Sequence, residues 1–225
     1  MKLGIGLGNA KVSSGVFSPS DSSNLELWYK NGVGNATTGW TDSASGATHT
    51  GLAPSGHEAR NADAGGVQLS SSSGGDYFDF TELSFEDEFT MMWVVLLDAY
   101  TSQNTIFSAN LNNWIEHQNE NQIRMKLGGT VSIMSAEESF SINERFLITL
   151  TRDSEGNMKL YKNGTAEAAV TATNASALVI DTLGIRNDND RAFDGRVYEV
   201  LVYSTEKTGA DLGNIHSHLL TKFSL

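Results

Sequence analysis

The residues best suited to chemistry in this chain of 225 residues are acidic, aromatic or imidazole side chains. Asn187-Asp188-Asn189-Asp190, together with Asp194, offers the hard oxygen donors that calcium takes. The spacing is not that of an EF-hand loop, because Ala192 holds the fifth position and Phe193 stands where such a loop needs Gly. An acidic turn is the plainer reading of Asp188, Asp190 and Asp194, and no other cofactor has candidate ligands. Glu86-Asp87-Glu88 is the densest carboxylate run. Glycoside hydrolysis needs two carboxyl groups set across a sugar bond. Three consecutive acids do not give that geometry, and a solvated loop ahead of the Phe89 strand explains them better. Trp40, Tyr100 and Trp114 are candidate sugar-stacking residues, set against ordinary core packing for each alone. His216 and His218 lie two apart on an expected helix, so they point to different sides and cannot share one ion. His49, His57 and His117 show no ligand spacing. There is no Gly-x-Ser-x-Gly elbow, no phosphate loop and no cysteine. The expectation is a protein without catalytic residues.

The elements that would position these residues are strands. The stretch Phe193-Asp194-Gly195 opens onto Arg196-Val197-Tyr198-Glu199-Val200-Leu201-Val202-Tyr203. Strict alternation puts Val197, Leu201 and Tyr203 on one face and Tyr198, Val200 and Val202 on the other. A strand apolar on both faces is covered on both, which places this one mid-sheet. Glu199 on it reads as a carboxylate paired with an Arg. Phe89–Leu97 is a second run of this kind. Short strands are expected at Leu25–Tyr29, near Ala47–Thr50, at Gly66–Ser70 paired with Tyr77–Phe80, and at Thr105–Ala109. Further strands are expected at Trp114–Gln118, Gln122–Leu127, Val131–Ser135, Arg145–Arg152, Met158–Lys162, Ala166–Val170 and Ala177–Leu183. Asn163-Gly164 is a hairpin turn signal, since both residues tolerate positive φ. One helix is expected from Gly209 to about Lys222, with Thr208 as N-cap and Leu212, Ile215 and Leu219 as its apolar stripe.

Composition narrows the function classes. A net charge of −12 opposes nucleic acid and anionic lipid. No run is long and apolar enough for a membrane helix. The start lacks the continuous apolar region of a signal peptide. Residues 1–23 read as an extended Gly/Ser-rich arm and linker, and residues 24–225 as one β-sandwich. In the arm Leu3, Ile5 and Leu7 alternate with Gly4, Gly6 and Gly8. An extended chain would then have one apolar face and one bare backbone face, suited to docking on a partner during assembly.

Phe89–Leu97, Thr105–Ser108, Leu147–Asp153, Leu160-Tyr161-Lys162-Asn163-Gly164 and Phe193–Ser204 with the closing helix resemble the laminin-G-like branch of the concanavalin A-like family. The pattern runs over residues 24–223. The resemblance implies an all-β fold, a jelly roll of two antiparallel sheets packed face to face. Enzymes of this superfamily carry a Glu-x-Asp-x-x-Glu strand, which this chain lacks. The arm, with Leu25–Tyr29 and Gly39–Ser43, resembles virion proteins of tailed bacteriophages. That implies a multicopy or homo-oligomeric structural protein of the particle, in the head decoration, tail or fibre. Its partners would be other virion proteins or copies of itself, and it would be assembled in the host cytoplasm. The alternative is a carbohydrate-binding module for host-surface glycans, and after it a glycoside hydrolase.

Overall fold

The computed structural model describes residues 17–99, 103–118, 122–135, 140–167, 172–186 and 190–225. Two antiparallel sheets pack face to face as a jelly-roll sandwich, with one helix at the C-terminus. Strand β1 (Leu25–Tyr29) joins the first sheet, while β2 (Asn35–Ala36), β3 (Gly39–Trp40) and β4 (Gly51–Leu52) form an edge of the second. β5 (Arg60–Asn61) and β6 (Val67–Leu69) return to the first sheet, and β7 (Phe78–Phe85) lies in the second. β8 (Phe89–Leu97) is in the first sheet. β9 (Gln103–Asn110), β10 (Asn113–Gln118), β11 (Gln122–Leu127) and β12 (Thr130–Ile133) make a meander in the second. β13 (Arg145–Arg152), β14 (Asn157–Lys162), β15 (Thr165–Ala166) and β16 (Ala172–Thr173) complete one side of the first sheet. β17 (Leu178–Leu183) crosses to the second sheet, and β18 (Gly195–Tyr203) is central in the first.

The two apolar runs lie side by side, as their composition requires. β8 pairs with β18 on one flank and β13 on the other. Their inner faces meet the second sheet in one core that includes Trp93, Phe107, Phe146, Val200 and Val202. Their outer faces carry α1 (Gly209–Phe223), which seats Leu212, Ile215, Leu219 and Phe223 on Met92, Leu147, Tyr198, Leu201 and Tyr203. Each such side chain removed from water contributes roughly 1.5–3 kcal/mol before ordering entropy is subtracted. Thr208 takes the extended N-cap conformation, but its side chain makes no capping bond; its carbonyl receives Leu212 N at 3.3 Å.

Several local expectations are corrected. The pairing of β18 with β8 slips between Val197 and Glu199. This bulge turns Val197, Val200 and Val202 to the inter-sheet core and Tyr198, Leu201 and Tyr203 to the helix, because one extra residue inverts every side chain beyond it. Glu199 pairs with Lys222 of the helix rather than with an Arg, and accepts Trp28 Nε1 at 2.8 Å. β6 and β7 are not a hairpin but belong to opposite sheets, so the 70–77 segment is a crossover. Strands near Ala47–Thr50 appear instead at Gly39–Trp40 and Gly51–Leu52. Residues 18–23, expected as linker, dock on the body. Pro19 is buried, its carbonyl accepts the Tyr203 hydroxyl at 3.1 Å, and Ser22 Oγ donates to Asp211 at 3.0 Å. The β14–β15 hairpin turns as expected on Asn163 (φ 47°) and Gly164 (φ 76°).

Candidate functional site

Directly opposed residues of an antiparallel ladder share a face. That rule draws one row across the outer face of the second sheet. Leu52 opposes Asp79, Asp79 opposes Thr182, Thr182 opposes Ser108, and Ser108 opposes Trp114. Lys126 and then Val131 complete the row. The row faces away from the core, since Phe78 and Phe80 beside Asp79 are buried, whereas Leu52 is 63 % exposed and Val131 48 %.

At the Leu52 end the sheet opens. β4 meets β7 only through Leu52 and Asp79, and Ala53 N then turns to Thr38 O at 3.0 Å. The gap is a shallow groove of about 390 Å³ lined by Thr50, Leu52, Ala53, Pro54, Asp79, Phe80 and Thr81. His49 closes one side by bonding Thr81 O through Nδ1 at 2.8 Å. Behind Asp79, the Thr182 hydroxyl lies 3.2 Å from Asp79 Oδ1 and 2.8 Å from Asp181 Oδ1. One hydroxyl has one proton, so it donates fully to only one of these carboxyls. Burial raises the pKa of Asp79 against the hydrogen bond from Thr182. Burial likewise raises Asp181, with Asp79 and Glu82 adding repulsion. Tyr77 lies two residues before Asp79, its ring 4.9 Å from that of His57, whose Nδ1 contacts Gly75 O at 2.7 Å. Burial, then the Asp79 charge, raises the Tyr77 phenol. The groove thus offers a carboxylate, hydroxyls and an apolar wall within one shallow concavity.

The far half of the same face is closed. Glu116 is fully buried and accepts from Arg124 Nε at 2.8 Å, while Arg191 Nη1 reaches its other oxygen at 3.3 Å. The Arg124 guanidinium lies over the Trp114 ring, 5.3 Å from its centroid. Trp114 is 4 % exposed, so it has no free face for a sugar. Trp40 is fully buried, stacked on Tyr29 at 5.4 Å, with Nε1 donating to Lys30 O at 3.2 Å. Both tryptophans are therefore core or shielded residues, and Tyr100 lies outside the described residues. Of the calcium candidates, Asp190 faces Arg186 at 3.3 Å and Arg191 at 3.8 Å, and Asp194 accepts from Ser71 Oγ at 2.7 Å. Each of the two carboxylates thus has its own protein partner, and Asp188 lies outside the described residues. No group of three metal-ligating side chains forms among the described residues. Leu3, Ile5 and Leu7 of the arm also lie outside them. His216 is buried against Thr149, while His218 sits by Phe17 on the other side of the helix, as their spacing requires.

The sequence reading missed the Asp79 groove. Asp79 stood in a plain alternation, Phe78-Asp79-Phe80, that marks it as outward-facing. The signal that it belongs to a site is its opposition to Thr182 and Leu52, and strand pairing across the sheet is not written locally.

The concanavalin A-like lectin/glucanases superfamily matches residues 72–213. No curated protein matches the chain. Among solved structures, the binding domain of botulinum neurotoxin serotype G aligns at TM-score 0.66 and 17 % identity, covering 87 % of this chain and 51 % of that one. Botulinum neurotoxin type C, which depends on two ganglioside molecules to get into cells, aligns at 0.63 and 15 %, covering 87 % and 51 %. Trypanosoma rangeli sialidase in complex with sialic acid aligns at 0.62 and 12 %, covering 90 % and 34 %. The chain spans about half the length of these toxin chains, and at such identities the likeness is one of fold. The family match takes in β7, β8, the meander, β13 to β18 and the start of the helix, which build most of the core and the β7 side of the groove, while the β4 side lies outside it. The chain belongs to the concanavalin A-like lectin/glucanase superfamily.

Proposed function

We propose that this protein is a carbohydrate-binding domain that holds a glycan on the outer face of its second sheet without cleaving it. The observation that carries the reading is the groove between the end of β4 and β7, where Asp79, Thr50 and Thr81 stand beside the apolar Leu52 and Pro54. Sugar hydroxyls suit the first three, and the C–H face of a pyranose suits the last two. Membership of a superfamily of lectins and glucanases supports it, as does the fold shared with a ganglioside-dependent neurotoxin and a sialidase that holds sialic acid. The lining supports binding without turnover. Only Asp79 of the carboxyl pair faces the groove, and a two-carboxyl hydrolysis needs both acids at the sugar. Screening on a glycan array, with Leu52→Asp as control, tests the reading: saturable binding lost in the variant is expected. Binding to no glycan on the array would sink it. Release of reducing ends from a bound oligosaccharide would replace it with an enzyme.

A second reading is attachment to a tailed-phage particle through residues 1–23. One observation favours it: Phe17 packs with the helix cluster on the outer face of the first sheet, opposite the groove. An arm there would leave the groove displayed. Electron microscopy of particles labelled through this chain would test it, with no label on particles counting against it.

A further inference from the structure

The groove has a polarity that narrows its ligand, on the reading that it binds glycans. Asp79 is the one charged residue in its lining, which holds no Lys or Arg, and the imidazoles of His49, bonded to Thr81 O, and His57 stand nearby. The Thr182 hydroxyl lies 2.8 Å from Asp181 Oδ1 and 3.2 Å from Asp79 Oδ1, so Asp79 receives the longer of its two bonds. Among the described residues no other hydrogen bond reaches the Asp79 carboxylate. Asp79 therefore faces the groove with acceptor capacity that only a bound molecule or water fills. Asp181 lies close enough to Asp79 and Glu82 for both charges to repel its own. The chain as a whole carries −12, which adds repulsion toward any anion approaching this face.

We infer that the groove selects uncharged, hydroxyl-rich saccharides and rejects sialylated ones, with Asp79 as the acceptor that sets the choice. A sugar hydroxyl donates to Asp79 in a charge-assisted bond. A second hydroxyl is within the chemistry of Thr50 or Thr81, and the ring's apolar face covers Leu52 and Pro54. A sialic acid carboxylate in the same place finds no Lys or Arg in the lining and meets the Asp79 carboxylate at close range.

The test uses the whole chain on an array that carries each neutral oligosaccharide beside the sialylated form of the same core. At least tenfold stronger binding to the neutral member of each bound pair is expected. Asp79→Asn should weaken neutral binding about fivefold to tenfold, the scale of one charge-assisted hydrogen bond, with an unchanged melting temperature. Asp79→Lys should reverse the preference and admit sialylated members. Equal or stronger binding of sialylated members by the unmodified chain would overturn the inference while leaving the glycan-binding reading intact. Neutral binding that survives both Asp79 variants would place the site elsewhere and overturn it too. Binding to no array member would overturn the reading itself, and the inference with it.

Discussion

Two buried imidazoles weaken this protein in acid. His117 lies on the core side of β10 against Phe140, Phe146 and Phe193, at centroid distances of 5.8, 6.0 and 6.1 Å. Neither ring nitrogen has a hydrogen-bond partner among the described residues. Burial pushes its pKa down to about 3. His216, bonded to Thr149 Oγ1 at 2.9 Å, is pushed down to about 4 by burial. Both are neutral in the folded protein, whereas in the unfolded chain they take up a proton near pH 6.5. Below that pH the unfolded state binds more protons, so stability falls as pH falls toward 4. Each histidine contributes a slope of up to about 1.4 kcal/mol per pH unit. Asp79 and Asp181, with raised pKa values, act with the opposite sign in the acid range. The difference between proteins, not one raw curve, therefore isolates the histidine. His117→Leu should unfold at higher urea than the unmodified chain at pH 5, and the gap should narrow at pH 8. It replaces an unpaired polar ring by an apolar group of similar size. A gap independent of pH would show that His117 is not neutral in the fold.

At the scale of elements, the helix is fastened to the sheet by one buried charge as well as by its apolar stripe. The β18 bulge turns Glu199 to the helix side, fully buried, where Lys222, Trp28 Nε1 and Asn31 N converge on its carboxylate. Lys222 is 26 % exposed at its side chain, so the pair is only partly desolvated. Removing the cation leaves the carboxylate buried with two neutral donors. Lys222→Met should then cost about 2–3 kcal/mol, at or below the low end for broken buried pairs. Lys222→Met with Glu199→Leu should recover at least half of that, read from urea midpoints; a double variant as unstable as the single would mean the charge itself was not the cost. This fastening also marks the limit of what was legible in the sequence. β8, β11, β13 and β18 could be read because apolar runs and Gly turns are local signals. The bulge between Val197 and Glu199 could not, because an inserted residue does not interrupt the apolar run that hides it. Lys222 as partner, the Asp79–Thr182–Asp181 contact and the sheathing of Trp114 by Arg124 all depend on which strands become neighbours. Trp40 and Trp114 were readable as aromatic, but their burial was not.

At the scale of the molecule, the sandwich has two unlike outer faces, and segment 17–23 belongs to one of them. The first sheet carries the helix, with Phe17 packed beside it and Pro19 buried under the Tyr203 hydroxyl. The second carries the groove. Residues 17–23 therefore pack on the body ahead of a boundary at residue 24. Segment 17–23 contributes Pro19, the Ser22–Asp211 bond, and the Ser23 carbonyl that receives Lys207 Nζ at 2.7 Å. Deleting residues 1–16 removes none of these contacts. The melting temperature should stay within about 2 °C, given that 1 kcal/mol shifts a domain of this size by roughly 2–4 °C. Deleting residues 1–23 removes them all, uncovers Tyr203 and leaves Lys207 without its carbonyl. At about 1 kcal/mol for each lost hydrogen bond and more for the Pro19 packing, it should lower the melting temperature by roughly 6 °C or more. Neither deletion touches β4, β7 or β17, so glycan affinity measured below both transitions should be the same for the full chain and both truncations. Equal melting temperatures for the two truncations would put the boundary back at residue 24. A loss of glycan binding on removing residues 1–16 would mean that the start of the chain reaches the groove face, against the separation of the two faces.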